Sequence, residues 1–406
     1  MSRLIALFIS LSLFPLFTHA TELADEDDIP VPAAAEAKLT PPATRQADAL
    51  DSGREAFSLL GTNIQAGEFL TLYWKPVQSF QSIDTPVPVL IAHGKQAGPK
   101  LCLTAAIHGD ELNGIEMVRR LMYQLEPASM RGTVIGIPIV NLDGFRRASR
   151  YLADRRDLNR HFPGSPNGSA ADRIGHSLFA DVIRQCQFLV DLHTGSQQRI
   201  NLPQIRGNLK DEKVFGFTRH FGGITVLHGV GAKGTLRRAA NDAGIPAVTM
   251  EAGGPHELDE SAVDAGVKSL ETLLQNLGIQ DGKRFWSSPQ PVFYKSDWVR
   301  ADQGGILMST VKLGDKVREG QVLGSVIDPV SNTGSAILAP FNGRILGMAV
   351  NQVVQTGFAT HHVGVETAAE KVQEGAIEQD LSATQPPPMG DCVANNASGT
   401  SAVSDC

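Results

Sequence analysis

The feature that most constrains this chain is an alternation of short, continuous apolar runs with stretches of helical periodicity. KLCLTAAI leads into ELNGIEMVRRLMYQL, and TVIGIPIV, ADRIGHSLFADVIRQC and QFLVDLH follow. Leu112, Ile115, Glu116, Val118, Arg119 and Leu121 fit a helix with one apolar face, and the runs on either side fit buried strands. The pattern predicts an α/β fold, in which ligands gather at the C-terminal ends of strands.

Two of the apolar runs end in histidine. KLCLTAAI opens onto His108, with Glu111 three residues later, and QFLVDLH ends on His193. A turn lets residues i and i+3 converge, so an imidazole and a carboxylate can reach one ion, and His193 is the best third ligand. Catalytic Zn2+ takes three N/O ligands and keeps a position open for water. His-x-x-Glu by itself is a weak signal, since a strand-end histidine is often a satisfied polar group. Spacing alone leaves both readings open.

Outside this region the texture changes. Arg3 precedes LIALFISLSLFPLF, an apolar run of about 14 residues that falls short of the roughly 20 needed to span a bilayer. Thr18-His19-Ala20 then offers a small-residue cleavage site. Residues 1–20 are therefore expected to be a signal peptide, and the mature protein to be exported, periplasmic or secreted, with no membrane span. Residues 21–52, rich in Pro, Ala and acids, read as a linker, and 370–406 as a disordered tail. Of the four cysteines, Cys102 and Cys186 sit in apolar runs and read as small core hydrophobes, whereas Cys392 and Cys406 could pair in an oxidising compartment. With 36 basic against 43 acidic side chains and a net charge of −7, no basic patch marks a nucleic-acid partner.

After about residue 288 come short β-type segments punctuated by glycine. GDKVREGQVLG and APFNGRI resemble the biotinyl/lipoyl barrel-sandwich fold, which implies a small all-β module over 289–369 after a catalytic domain over 53–288. The carrier lysine of that fold belongs in the hairpin between the halves, and DPVSNTGSAI contains none. No biotin or lipoate is expected. His361 and His362 read as surface residues of the module.

HGDELNGIE, NLDGF, SRYLADRRDLNRHFPG, DLHTG and VTMEAGGP, in that order, resemble the succinylglutamate desuccinylase/aspartoacylase family, a branch of the zinc carboxypeptidase superfamily. The resemblance runs over about residues 85–275. It implies a zinc-carboxypeptidase-like mixed sheet flanked by helices and one Zn2+ per chain held by His108, Glu111 and His193. It further implies Glu251 as general base, Arg150 at the oxyanion, Asn159 and Arg160 on a substrate carboxylate, and Asp157 orienting His108. Arg237 or Arg238 could add a substrate contact, and Tyr294 could match a C-terminal substrate residue of the family's short members. Asp110 is read as structural.

These parts imply hydrolysis of an amide: zinc lowers the pKa of water toward about 7, Glu251 moves the proton and Arg150 meets the charge on the carbonyl oxygen. The family name favours a deacylase acting on an N-acyl amino acid. The export signal favours a carboxypeptidase acting on peptides or cell-wall fragments. A non-catalytic scaffold is the competing class, disfavoured because no member of the implied site is missing, and stoichiometric zinc in the purified protein discriminates against it.

Overall fold

A computed structural model of the protein describes residues 55–76, 85–282 and 291–367. The expected leader, linker and tail, the boundary at 288/289 and the Cys392–Cys406 pairing lie outside these residues.

A short hairpin, β1 (Phe57–Leu59) and β2 (Thr62–Ile64), precedes β3 (Glu68–Trp74), β4 (Val87–His93) and β5 (Gln96–Ala105). Then come α1 (Asn113–Gln124), β6 (Arg131–Ile137), α2 (Leu142–Arg146), α3 (Ala170–Asp181), β7 (Phe188–His193) and β8 (Arg199–Gly207). The catalytic region closes with α4 (Glu212–Thr218), β9 (Thr225–His228), α5 (Leu236–Asp242), β10 (Ala247–Gly253) and α6 (Glu260–Asn276).

The apolar runs become strands and the periodic stretches helices, as the pattern predicts. Strand β5 is buried on both faces, and alternation sends its side chains to two cores. Leu101, Leu103 and Ala105 meet Met117, Val118, Leu121 and Met122 of α1 on one side of the sheet. Cys102 points to the other side, among Leu178 and Phe179 of α3 and Ala240 of α5. Each fully buried side chain of this size contributes about 1.5–3 kcal/mol relative to exposure.

Strands β6, β5, β7 and β10 run parallel and adjacent. From β5 the chain crosses to β6 on one side and later to β7 on the other. The C-terminal ends of β5 and β7 therefore flank a switch point, where an open α/β sheet leaves a crevice.

Cys102 and Cys186 are not free core residues as expected: they form a disulfide with Cα atoms 5.8 Å apart. Cys102 pairs with Leu189 in the β5–β7 ladder, so Cys186, just before β7, comes alongside it. The cross-link closes a separation of 84 residues between β5, which leads to His108, and the start of β7, which ends in His193. Cys102→Ala with Cys186→Ala is expected to lower stability by about 2–4 kcal/mol, chiefly by releasing the unfolded chain. Thermal melts of wild type and double variant, with and without reductant, check this. A wild type insensitive to reductant and a variant of equal Tm would contradict it.

The C-terminal strands are β11 (Val292–Arg300), β12 (Gly305–Ser309), β13 (Lys316–Val317), β14 (Val322–Ile327), β15 (Gly334–Leu338), β16 (Gly343–Ala349), β17 (Val353–Val354) and β18 (Ala359–Thr367). They form the expected all-β module, with a four-stranded sheet β15-β14-β12-β17. Its other half, however, continues the catalytic sheet, because β11 pairs with β9 and β16 pairs with β8. His361 and His362 are buried at this seam, 0% and 6% exposed, contrary to the surface position expected. Burial pushes their imidazoles down to about 4 and, with the Arg206 charge nearby, about 3. Among the described residues no helix is long and apolar enough to cross a membrane.

Candidate active site

At the end of β5 the chain turns through a left-handed conformation at Ala106 (φ 47°), an uncommon one for a residue with a Cβ. The following segment leaves the sheet, and a turn from Glu111 N to the His108 carbonyl, 3.3 Å, brings their side chains together. His108 and Glu111 thus stand before α1, at the crevice. The backbones at Gly109 and Gly144 touch so closely that a Cβ on either would collide with its neighbours. This contact lays NLDGF against the HGDE turn. Asn113 ties the same turn to the end of β10, its Nδ2 donating to the Ala252 carbonyl at 3.0 Å.

His108, Glu111 and His193 are buried, and their potential ligand atoms lie within 4.8 Å of one another. His108 Nδ1 is 2.7 Å from Glu111 Oε1, and His193 Nδ1 is 2.8 Å from Glu111 Oε2. On their far sides His108 Nε2 faces Asp157 at 3.1 Å and His193 Nε2 faces Asp191 at 2.9 Å. A carboxylate only accepts, so each Nε2 carries a proton. Arg150 NH1, which only donates, lies 3.1 Å from His108 Nδ1. Each Nδ1 in turn faces a Glu111 oxygen, and a divalent cation among these atoms would take the place of the protons that the imidazoles share with that carboxylate. The donor set fits a divalent metal, with carboxylates behind both imidazoles as metal-bound histidines usually require.

The electrostatics show a pocket that favours positive charge. Burial favours neutral imidazoles, yet Glu111 and the carboxylates behind them outweigh it and raise both histidines. Burial likewise opposes the charge on Glu111, but the two histidines hold its carboxyl far below the usual range. Burial also opposes ionisation of Asp157, and His108 and Arg150 hold it ionised. The site is built to hold positive charge among fixed anions.

Glu251 on β10 pairs in register with His193 on β7, so the two side chains share the strand mouth. Asn201 Nδ2 donates to Glu251 Oε2 at 3.0 Å, and Arg206 NH1 lies 3.4 Å from Oε1. Arg150 reaches Glu111 at 3.2 Å and Asp157 at 3.0 Å. Asn159 Oδ1 accepts from Leu236 N at 2.8 Å, and its amide Nδ2 lies 3.4 Å from His193 Nε2. Arg160 anchors NH1 on the Asn159 carbonyl at 2.7 Å and remains half exposed.

The trio, Glu251, Asn201, Arg206, Arg150, Asn159 and Arg160 line one cavity of about 490 Å3, as does Arg237, while Asp157 and Asp191 lie behind the imidazoles. Arg237 NH1 is buried without a hydrogen-bond partner among the described residues. Burial and the Arg206 charge bring its guanidinium down to about 10. Arg238 points elsewhere, paired with Asp242 at 2.8 Å. Asp110 holds backbone instead, its carbonyl accepting from His256 N at 2.8 Å. Tyr294, for which no local motif supports a substrate role, packs against the core and is not among the residues that line the cavity. The module supplies Trp298 and Arg300 instead. Asp191, Asn201, Arg199 and Arg206 were not anticipated either. Asp191 alone carried a signal, two residues before a strand-end histidine and on the same face of its strand.

Fold and site define an α/β protein with a buried His–Glu–His donor set at a sheet switch point. Residues 97–277 match the succinylglutamate desuccinylase/aspartoacylase catalytic domain, and this region belongs to that family. The N-alpha-acetyl-L-2,4-diaminobutyric acid deacetylase of Halomonas elongata is 27% identical over 259 residues, covering 60% of this chain and 74% of that protein. A succinylglutamate desuccinylase/aspartoacylase structure from Rhodobacter sphaeroides superposes with a TM-score of 0.67 at 21% identity, over 79% of this chain and 99% of the other. The product-bound ectoine utilization protein EutE (DoeB) of Ruegeria pomeroyi does so with a TM-score of 0.65 at 23% identity, over 73% and 94%. These two likenesses establish the fold.

Proposed function

We propose that the protein is a zinc-dependent amide hydrolase that removes the acyl group from an N-acyl amino acid. The observation that carries this is the buried trio of His108, Glu111 and His193, whose potential ligand atoms converge beside Glu251. The name of the Halomonas relative, a deacetylase of an N-acetyl amino acid, supports the substrate class.

His108, Glu111 and His193 would hold the ion, with Asp157 and Asp191 fixing the imidazoles. When bound, zinc supplies Lewis acidity and lowers the pKa of water toward about 7. Glu251, steadied by Asn201 and Arg206, takes a proton from the attacking water at its carboxylate and returns it to the leaving amine. Arg150 stands beside the trio and offers N–H donors to charge on the carbonyl oxygen. Asn159 Nδ2 and Arg160 receive the amino-acid carboxylate, with Arg237 as a further cation in the same cavity. We further propose that the protein is exported, a reading supported by the leader-like N-terminus and the buried disulfide.

A screen of zinc-loaded protein against N-acyl amino acids, dipeptides and muropeptides tests the reading, with Glu251→Gln protein as the blank. Turnover confined to dipeptides or muropeptides would replace the deacylase by a peptidase. Arg160→Ala is expected to raise KM about 10–100-fold for substrates with a free carboxylate, with little effect on their methyl esters. Equal weakening of both substrate types would remove Arg160 from the clamp.

A further inference from the structure

The four-stranded sheet of the C-terminal module, β15-β14-β12-β17, buries one face. Leu307, Leu323, Val326, Ile337 and Val354 share a core there with Ile345 of β16 and Val363 of β18. Alternation turns the other face outward, and an antiparallel sheet covered on one side normally presents polar residues to water. This face presents apolar ones. Val353, Ile306 and Ile327 stand in one row across three strands, and Met308 pairs through Ser325 with Ala336 in the next. Val322 stands opposite Leu338 in the third. The runs GILMS, VLGSVI and GSAIL thus have the composition of strands covered on both sides, although among the described residues only one side is covered.

The size of the patch says what it fits. Ile306, Met308, Val322, Ile327, Leu338 and Val353 are between 36% and 77% exposed. Together they leave roughly 500 Å2 of contiguous apolar surface, near the upper end of what a soluble monomer shows. A standard interface buries about 800 Å2 on each partner, of which about 65% is apolar in homodimers. The three rows supply that apolar share. No charged side chain stands in them, so the face offers nothing to an acidic or basic partner. The flanking stretches 21–54 and 368–406 carry their large apolar residues singly among polar, acidic and proline residues, and neither has a run that matches three apolar rows. A second copy does match, because it brings the same flat face, and a two-fold axis stacks two such sheets about 10 Å apart.

We propose that this outer face is the interface of a homodimer in which two C-terminal modules pack sheet to sheet across a two-fold axis. Ile306 and Met308, on the inner strand β12, lie in the middle of the contact, with Val353 and Leu338 toward its sides. Strands β16 and β18, which lead to the catalytic sheet, lie on the opposite side of the module core, so the dimer leaves both catalytic cavities open. The inference is independent of the reaction the protein performs.

Sedimentation equilibrium of the full-length protein tests it. Wild type is expected to be a dimer at micromolar concentration. Ile306→Lys and Met308→Lys are each expected to weaken the dimer by about 100-fold or more, since the two-fold axis places every buried charge in the contact twice. Far-UV circular dichroism and a melting curve establish that each variant is folded. Should a lysine variant fail to fold, Val353→Ser, at the most exposed of the six positions, is expected to weaken the dimer by about 10-fold. A dimer of unchanged strength in folded variants would place the interface elsewhere and overturn the proposal. A wild type that stays monomeric at all concentrations would also overturn it, in favour of a membrane surface if the monomer floats with phosphatidylcholine vesicles.

Discussion

Glu251→Gln protein is expected to keep its fold and its zinc and to lose about 10²–10⁴ in turnover. The amide nearly matches the carboxylate in shape, so the site should accept it without rearrangement. Its oxygen can still accept from Asn201, as Glu251 Oε2 does at 3.0 Å. What it cannot do is take a proton at neutral pH. The loss should therefore fall in kcat with KM little changed, the signature of an interaction used only at the transition state. Metal content and a melting curve, measured on the same sample, separate lost chemistry from lost structure. Near wild-type kcat with zinc bound would remove Glu251 from the role of base.

His108→Ala and His193→Ala are each expected to abolish both stoichiometric zinc and activity. A three-ligand site reduced to two binds a divalent ion poorly, and the missing ligand is half of the symmetric arrangement around Glu111. Either change also leaves a carboxylate, the half-buried Asp157 or the buried Asp191, without its imidazole partner. A drop in stability should therefore accompany the loss of metal. Full zinc occupancy in either variant, measured by elemental analysis, would sink the assignment.

The elements legible in the sequence were those set by local pattern. The five alternating segments from Lys100 to His193 became β5, α1, β6, α3 and β7, because burial on both faces and a one-sided helix each leave their own period in the residues. The grouping of His108, Glu111 and His193 was legible because the two histidines stand where apolar runs end and Glu111 follows one of them within a turn. What was missed depends on register between strands distant in sequence. Cys102 and Cys186 each read as apolar fillers, and only the β5–β7 ladder brings them to 5.8 Å. His361 and His362 followed the polarity of their residue type outward, while the pairing of β18 with β11 and β16 turned them inward. The same long-range pairing carries Trp298 and Arg300 to the cavity. Arg237 and Arg238 were indistinguishable as neighbours in sequence, and the seating of α5 against the cavity separates them.

The pairing of β11 with β9 has a consequence for the edge of the large sheet. In a catalytic sheet ending at β9, that strand would present a row of open backbone donors and acceptors beside the partly paired β8, a template for edge-to-edge association with another chain. The module covers that edge and carries the ladder on through β18, β16 and the two-residue β13. A terminal strand so short offers almost nothing for a neighbouring molecule to extend. The strand that caps this edge with Val292 and Phe293 is the one that carries Trp298 and Arg300 to the cavity, so one element both closes the sheet against edge-to-edge pairing and shapes the site.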